Sequence, residues 1–413
     1  DGNRTHHATG WVWVAVAALS MVPGIGIALS GVALPDPLRA LAYGGAIVGA
    51  AFLLSWAAEV VQLDFSQGLA LALLALIAIL PEYMVDASFA WLAAEDPAYA
   101  GYAIANMTGA NRLLVGIGWS GVVFLGWLAL RRQGKLPSSG QIPIEPVLAI
   151  EVTVLTVATL YSLLLPLKAT ITVWDAVIFV LIFAGYVWLA GRAPHIEPEP
   201  AGPVATVAEL PKGWRRVAYV LMFLYSGFII LVATEPFTEG LIHLGKSFGI
   251  SEFLLIQWIA PLASESPEMI ILCYFALRGH VASAMSAIIS SKINQWTLLI
   301  GSLPVIYSIS AGHVSFLPLE PRPREEVLLT AAQSLFACAV IANRFFSRLE
   351  ALLLFVLFAT QLLIPSIAAR YAFTILYFVL AVVWMFAYRR EVTVNLNLFY
   401  RLAKRLPVSE EVT

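Results

Sequence analysis

Two short motifs place a proline and a carboxylate in the middle of apolar runs: Ile79-Leu80-Pro81-Glu82 and Glu265-Ser266-Pro267-Glu268. Proline has no N–H for a helix and clashes with the carbonyl four residues back, so Pro81 and Pro267 should release the carbonyls of Ile77 and Ala263. A carboxylate at mid-bilayer costs at least about 2.5 kcal/mol and therefore needs a partner or a task. Carboxylate, hydroxyl and carbonyl oxygens are the ligands that hard cations such as Ca2+ and Na+ take. Glu82 and Glu268 are thus the predicted metal-holding pair. Helical spacing puts Asp86 on the face of Glu82 and Ser264 on the face of Glu268, each four residues away, with Glu265 as a further acid. The apolar run after each pair carries a polar stretch of small residues, Asn106-Met107-Thr108-Gly109-Ala110-Asn111-Arg112 and then Ser290-Ser291-Lys292-Ile293-Asn294-Gln295. Asn106, Ser291 and Gln295 complete the predicted ion-binding set. Lys292 and Arg112 are bases inside the same runs, read as coupling groups or internal counter-charges.

The elements that must position these residues are membrane helices. Of 413 residues, 60% are hydrophobic and 12% charged, with a mean hydropathy of +0.84, against about 25% charge in a soluble domain. Stretches long enough to span fall near 11–34, 38–62, 65–93, 98–130, 146–166, 172–190, 215–245, 250–278, 281–310, 326–342, 349–364 and 370–388. Alternating sides puts sixteen Lys and Arg in loops on the N-terminal side and six on the other. That bias predicts a multi-pass plasma (inner) membrane protein with both termini cytoplasmic. The first run is too long for a signal-peptide core and reads as a retained span. Tryptophans and tyrosines near span ends, among them Trp11, Trp13, Trp127, Tyr371 and Tyr388, read as interfacial anchors.

A net charge of −2 offers no footprint for nucleic acid. Cys273 and Cys338 lie in apolar runs, which argues against a disulfide framework. No GxSxG, HExxH, Walker loop or metal-spaced Cys/His cluster is present, so an enzyme is not expected, nor a bound cofactor. The proline-rich stretch after residue 190 reads as a linker. An odd number of crossings separates the two Pro-Glu spans, so they run in opposite directions, the signature of inverted repeats with a site near the midplane.

In these paired motifs the chain resembles the calcium/cation antiporter superfamily, especially its sodium/calcium exchanger-like branch. That branch pairs a Ser/Thr-rich Pro-Glu motif with a Gly-Asn-x-x-Gly-Ser-Asn-x-x-Asn-like motif on the next helix, in two inverted five-helix repeats. The resemblance implies an all-α fold with residues 1–37 as tail and extra helix, 38–190 as first repeat, 191–214 as cytoplasmic linker, 215–364 as second repeat, and 365–413 as extra helix and tail. The extra helices would either cover the lipid face of the core or mediate a homodimer. The implied activity is secondary antiport of Ca2+ or a related cation against H+ or Na+, by alternating access around Glu82 and Glu268. The implied partners are the lipid bilayer and small inorganic cations.

Departures from the pattern sharpen the expectation. Where the family has Gly, Asn, Gly, Ser, Asn and Asn, the second repeat has Ser286, Ala287, Ser290, Ser291, Lys292 and Gln295, and the first has Ala105, Asn106, Gly109, Ala110, Asn111 and Leu114. Lys292 beside a Glu pair is a tethered monovalent cation that can give up its proton when a cation arrives, coupling transport to H+. Two alternatives stay open: a Na+/H+ antiporter that has lost the Ca2+ site, and a non-transporting sensor or scaffold locked by Lys292 and Arg112. Arg112 reads as structural, with Asp86 as its counter-charge. Glu59, Glu235 and Glu239 are secondary pathway candidates, and Glu151 and Asp175 read as interior polar groups. Gly44-Gly45 and Gly116-x-Gly118 read as close helix packing.

Overall fold

The structure is a computed structural model that describes residues 2–32, 34–61, 63–64, 80–144, 148–190, 200, 202–249, 251–364 and 366–404. Its helices are α1 (Gly2–Ser20), α2 (Val22–Ser30), α3 (Asp36–Val61), α4 (Leu80–Leu92), α5 (Ala98–Leu113), α6 (Ser120–Arg132), α7 (Leu148–Ser162), α8 (Leu164–Lys168), α9 (Val173–Ala190), α10 (Pro203–Ala208), α11 (Lys212–Phe248), α12 (Glu252–Leu277), α13 (Val281–Asn294), α14 (Ile300–Ala311), α15 (Pro321–Ile341), α16 (Arg348–Leu363), α17 (Ile367–Ala387) and α18 (Arg389–Ala403). Among the described residues, seven helical segments are long and apolar enough to cross a membrane: Gly10–Ser30, Asp36–Val61, Ala98–Arg132, Leu148–Lys168, Val173–Ala190, Lys212–Phe237 and Ile367–Ala387. The expected spans at 250–278, 281–310, 326–342 and 349–364 are also helical, in shorter or more polar segments. The expected span 65–93 is described only from Leu80 onward.

The chain forms two compact units, Asp1–Phe89 with His195–Glu268 and Ala90–Pro194 with Met269–Thr413. In the first, α3 packs along the long α11, and α1, α2 and α10 lie against α3. Gly44 is one close approach of α3 and α11, since a Cβ there would stand 2.9 Å from the Phe237 ring, whereas Gly45 faces open space. The N-terminal segment expected as a tail is helical from Gly2. The expected linker also holds structure. Pro203 pre-sets the first turn of α10, and Val204, Thr206 and Val207 bury the face it presents. At the end of α3, Asp64 takes the Arg215 guanidinium, with Arg216 3.5 Å away. That pair holds the Asp64 carboxyl below the usual carboxylate range.

The second unit is built around α15, which packs on α17, α5 and α7. This helix begins at Pro321, before the expected 326, because Glu325 and Glu326 are buried in it rather than left in a loop. Helices α5 and α13 each pass into a π-helical turn, Leu114–Trp119 and Gln295–Leu299, before continuing as α6 and α14. These turns start at Leu114 and Gln295, the matching last positions of the two polar motifs. A Cβ at Gly116 would stand 2.2 Å from Phe358, and one at Gly118 2.4 Å from Ile288, so both glycines are packing contacts. The fold is helical as expected, and among the described residues four short strands join the helices, β1 (Ile142–Pro143), β2 (Thr170–Thr172), β3 (Phe316–Pro318) and β4 (Phe345–Phe346). They form antiparallel pairs β1–β4 and β2–β3 that tie loops together, too short to show as period-two patterns in the sequence. Trp174, Leu181, Trp188, Val382 and Phe386 are exposed on α9 and α17, as helices facing lipid require.

Candidate cation site

On the first unit, α4 carries Glu82 and Asp86 one turn apart, 1% and 0% exposed. Ser264 and Glu265 are buried on α12, and Glu268 is half-buried on the same helix. Among the described residues, the charged groups that act on Glu82 are Glu265, Asp86 and Glu268, all acidic, and neither Glu82 oxygen has a hydrogen-bond partner there. Buried carboxyls this close together favour the uptake of a proton or a cation. The Ser264 hydroxyl donates back to the carbonyls of Ala260 and Pro261 at 3.3 and 3.2 Å, which turns its lone pairs outward from the helix backbone. Ile77 lies outside the described residues, and Ala263, expected to have a released carbonyl, takes part in an interaction.

Sequence reasoning missed Gln257. It is fully buried on α12, with neither end of its amide hydrogen-bonded among the described residues. Its signal was helical: positions 257, 261, 265 and 268 share one face. A buried amide without partners is costly, which marks this face as built to meet a polar ligand.

The second-motif residues belong to the other unit. Asn106 on α5 and Gln295 at the start of the π-helical turn are fully buried, and Ser291 on α13 is 7% exposed. Lys292 donates to the carbonyl and the side-chain oxygen of Asn111 at 3.1 and 3.2 Å, with its ammonium 5.5 Å from the Trp296 ring centre. The Trp296 indole is in turn fixed by Ser162 at 3.1 Å. Arg112, expected opposite Asp86, forms its ion pair with Glu326 at 2.5 Å and also reaches the Thr108 carbonyl. Glu326 further takes Arg370, with Arg322 at 3.7 Å, and Glu325 lies 3.7 Å from Arg370. Arg322 and Arg370 are two of the six bases that the loop count puts on the side away from the N-terminus. Their partners Glu325 and Glu326 went unremarked, although the four-residue spacing of Arg322 and Glu326 was a readable clue.

Among the secondary candidates, Glu239 forms a partly exposed pair with Arg39 at 2.8 Å, Glu235 is exposed and Glu59 half-buried. Asp175 locks the turn before α9, taking Lys168, the Tyr161 hydroxyl at 2.6 Å and the Thr172 amide at 2.6 Å.

Residues 38–191 and 218–367 match the profile of the sodium/calcium exchanger protein family. Among solved structures, the H+/Ca2+ exchanger CAX superposes with a TM-score of 0.91 at 43% identity, covering 97% of this chain and 100% of that one. YfkE superposes with a TM-score of 0.61 at 14% identity, covering 90% of this chain and 99% of that one. The sodium-calcium exchanger NCX_Mj gives 0.52 at 14% identity, covering 80% and 97%. At such identities the last two share the fold. No match was found among curated protein sequences.

Proposed function

Because the chain belongs to the sodium/calcium exchanger protein family, we propose that this membrane cation antiporter, which is not an enzyme, exchanges Ca2+ against H+ at the carboxylates of Glu82, Glu265 and Glu268. The observation that carries the reading is the acid contact itself. Glu82 is 1% exposed, and among the described residues the charged groups acting on it are Glu265, Asp86 and Glu268. A lone carboxylate could be satisfied by a neighbouring helix, but converging acids leave negative charge that only protons or a cation can neutralise. Divalent calcium suits such a site because it takes carboxylate oxygens. Protons compete for the same oxygens, so Ca2+ entry drives them off and proton loading drives Ca2+ out. The likeness to an H+/Ca2+ exchanger at 43% identity supports H+ over Na+ as the counter-ion. The sixteen-to-six loop bias supports insertion in the plasma (inner) membrane with cytoplasmic termini.

The test is Ca2+ entry into proteoliposomes carrying the purified chain, under either a pH gradient or a Na+ gradient, with Glu268→Gln as blank. Flux that follows the pH gradient and vanishes in the blank is the expected result. Flux that follows Na+ alone replaces H+ as counter-ion. No Ca2+ flux under either gradient overturns the Ca2+ reading and leaves Na+/H+ exchange or a locked scaffold. Lys292→Ala separates two proton carriers: pH coupling that survives assigns the protons to the carboxyls, and coupling that is lost assigns them to the lysine.

A further inference from the structure

Glu151, outside the Pro-Glu carboxylates, sits in the first turn of α7 and is 7% exposed. Its Oε1 accepts hydroxyl protons from Ser286 at 2.8 Å and Ser290 at 3.1 Å, while Oε2 has no hydrogen-bond partner among the described residues. Tyr186 of α9 extends the chain, its hydroxyl 2.6 Å from that of Ser290. A carboxylate spreads its charge equally over two oxygens, but a carboxylic acid has one accepting carbonyl oxygen and one O–H. With both serine hydroxyls on Oε1, Oε2 is left able to carry a proton. The ionised form is provided for as well. A position in the first turn of a helix favours an anion, and the hydroxyls of Tyr186, Ser290 and Ser286 can all donate toward it.

The elements packed on α7 bring Lys168 on α8, Asp175 on α9, Lys292 on α13, Arg322, Arg324, Glu325, Glu326 and Cys338 on α15, and Arg389, Arg390, Glu391 and Arg401 on α18. Lys168 is held by Asp175, Lys292 by Asn111, and Glu326 by Arg112 and Arg370. Among the described residues none of these charges forms an ion pair with Glu151, so a proton is what neutralises it. Ser286 and Ser290 stand where the resembled motif has glycines, and they lie on the helix that bears Ser291 and Lys292.

We propose that Glu151 is a second proton-binding site, whose charge state is passed to α13 through Ser286 and Ser290; its use in transport rests on the antiporter reading above. Infrared pH titration of the full chain in lipid vesicles tests the site without any transport. The expected result is a protonated-carboxyl band that shifts in D2O, disappears as pH rises and is missing from Glu151→Gln, whose amide oxygen still accepts both hydroxyls. A missing band, or one that does not respond to pH, overturns the proposal. Should Glu151→Gln fail to fold, Ser286→Ala/Ser290→Ala takes its place: the midpoint of the band should move by roughly one pH unit, a tenfold change in proton affinity, and an unmoved midpoint overturns the proposal. In proteoliposomes Glu151→Gln should shift the pH profile of Ca2+ uptake by a similar amount. A profile that superimposes on wild type overturns the coupling to α13. If wild type carries no flux at all, the antiporter reading fails while the infrared result still decides the site.

Discussion

On the first unit, Glu82 is surrounded by Glu265, Asp86 and Glu268; on the second, Arg112 lies against Glu326, which also takes Arg370 and Arg322. Both clusters are buried charge in a membrane protein, yet they are neutralised in different ways. In the second, bases meet acids of the same unit, which ties helices α5, α15 and α17 together. The acids of the first repel one another and require protons or a cation from outside. Acid meets base in one cluster and acid meets acid in the other, a more useful distinction than burial alone.

The largest expected effect breaks the unmatched cluster. Glu82→Gln or Glu268→Gln should lower Ca2+ transport by roughly 100-fold or more, beyond the 10–100-fold that losing an outer-shell partner of a metal site costs. The same variants should melt no earlier than wild type in Ca2+-free buffer, because removing one acid relieves repulsion; a fold that collapses would make these carboxylates structural. Arg112→Ala should behave in the opposite way. It leaves Glu326 with less compensation and should destabilise the folded chain by about 3 kcal/mol, read from thermal unfolding in detergent at several Ca2+ concentrations. A variant as stable as wild type would remove Arg112 from the scaffold.

A third change strikes packing without charge. Gly116→Ala puts a Cβ 2.2 Å from the Phe358 ring and should cost about 1–3 kcal/mol, with Phe358→Leu in the same chain recovering part of the loss. If the single variant is neutral, the π-helical turn beside it yields more easily than its close contacts imply. The smallest effect concerns Asp64. Arg215 hydrogen-bonds its carboxyl and holds it below the usual carboxylate range, so this contribution is fully present above the unfolded value of about 4 and is lost as pH falls through the lower folded one. Asp64→Asn should remove about 1–2 kcal/mol at neutral pH and flatten the acid limb of the stability curve; an unchanged acid limb would show the pair to be idle.

The helices were legible because a membrane leaves few choices: apolar runs of span length must satisfy their backbone internally, and charges inside them stand out. Asp64 and Arg215 are 151 positions apart, Arg112 and Glu326 still further, and no periodicity links such pairs. The π-helical turns were invisible for another reason, since a single turn of this kind leaves no periodic pattern in the sequence.

What the sequence determined by itself is the membrane class, the paired Pro-Glu helices and the identity of the acids, because composition and spacing are local properties that survive without contacts. Only the tertiary structure decided what each buried charge answers to. It brought Glu265 onto Glu82, gave Arg112 to Glu326 and Lys292 to Asn111, and turned Ser286 and Ser290 onto Glu151. Whether a charge is cargo site or scaffold depends on its nearest neighbour in space, and in a polytopic chain that neighbour comes from another helix.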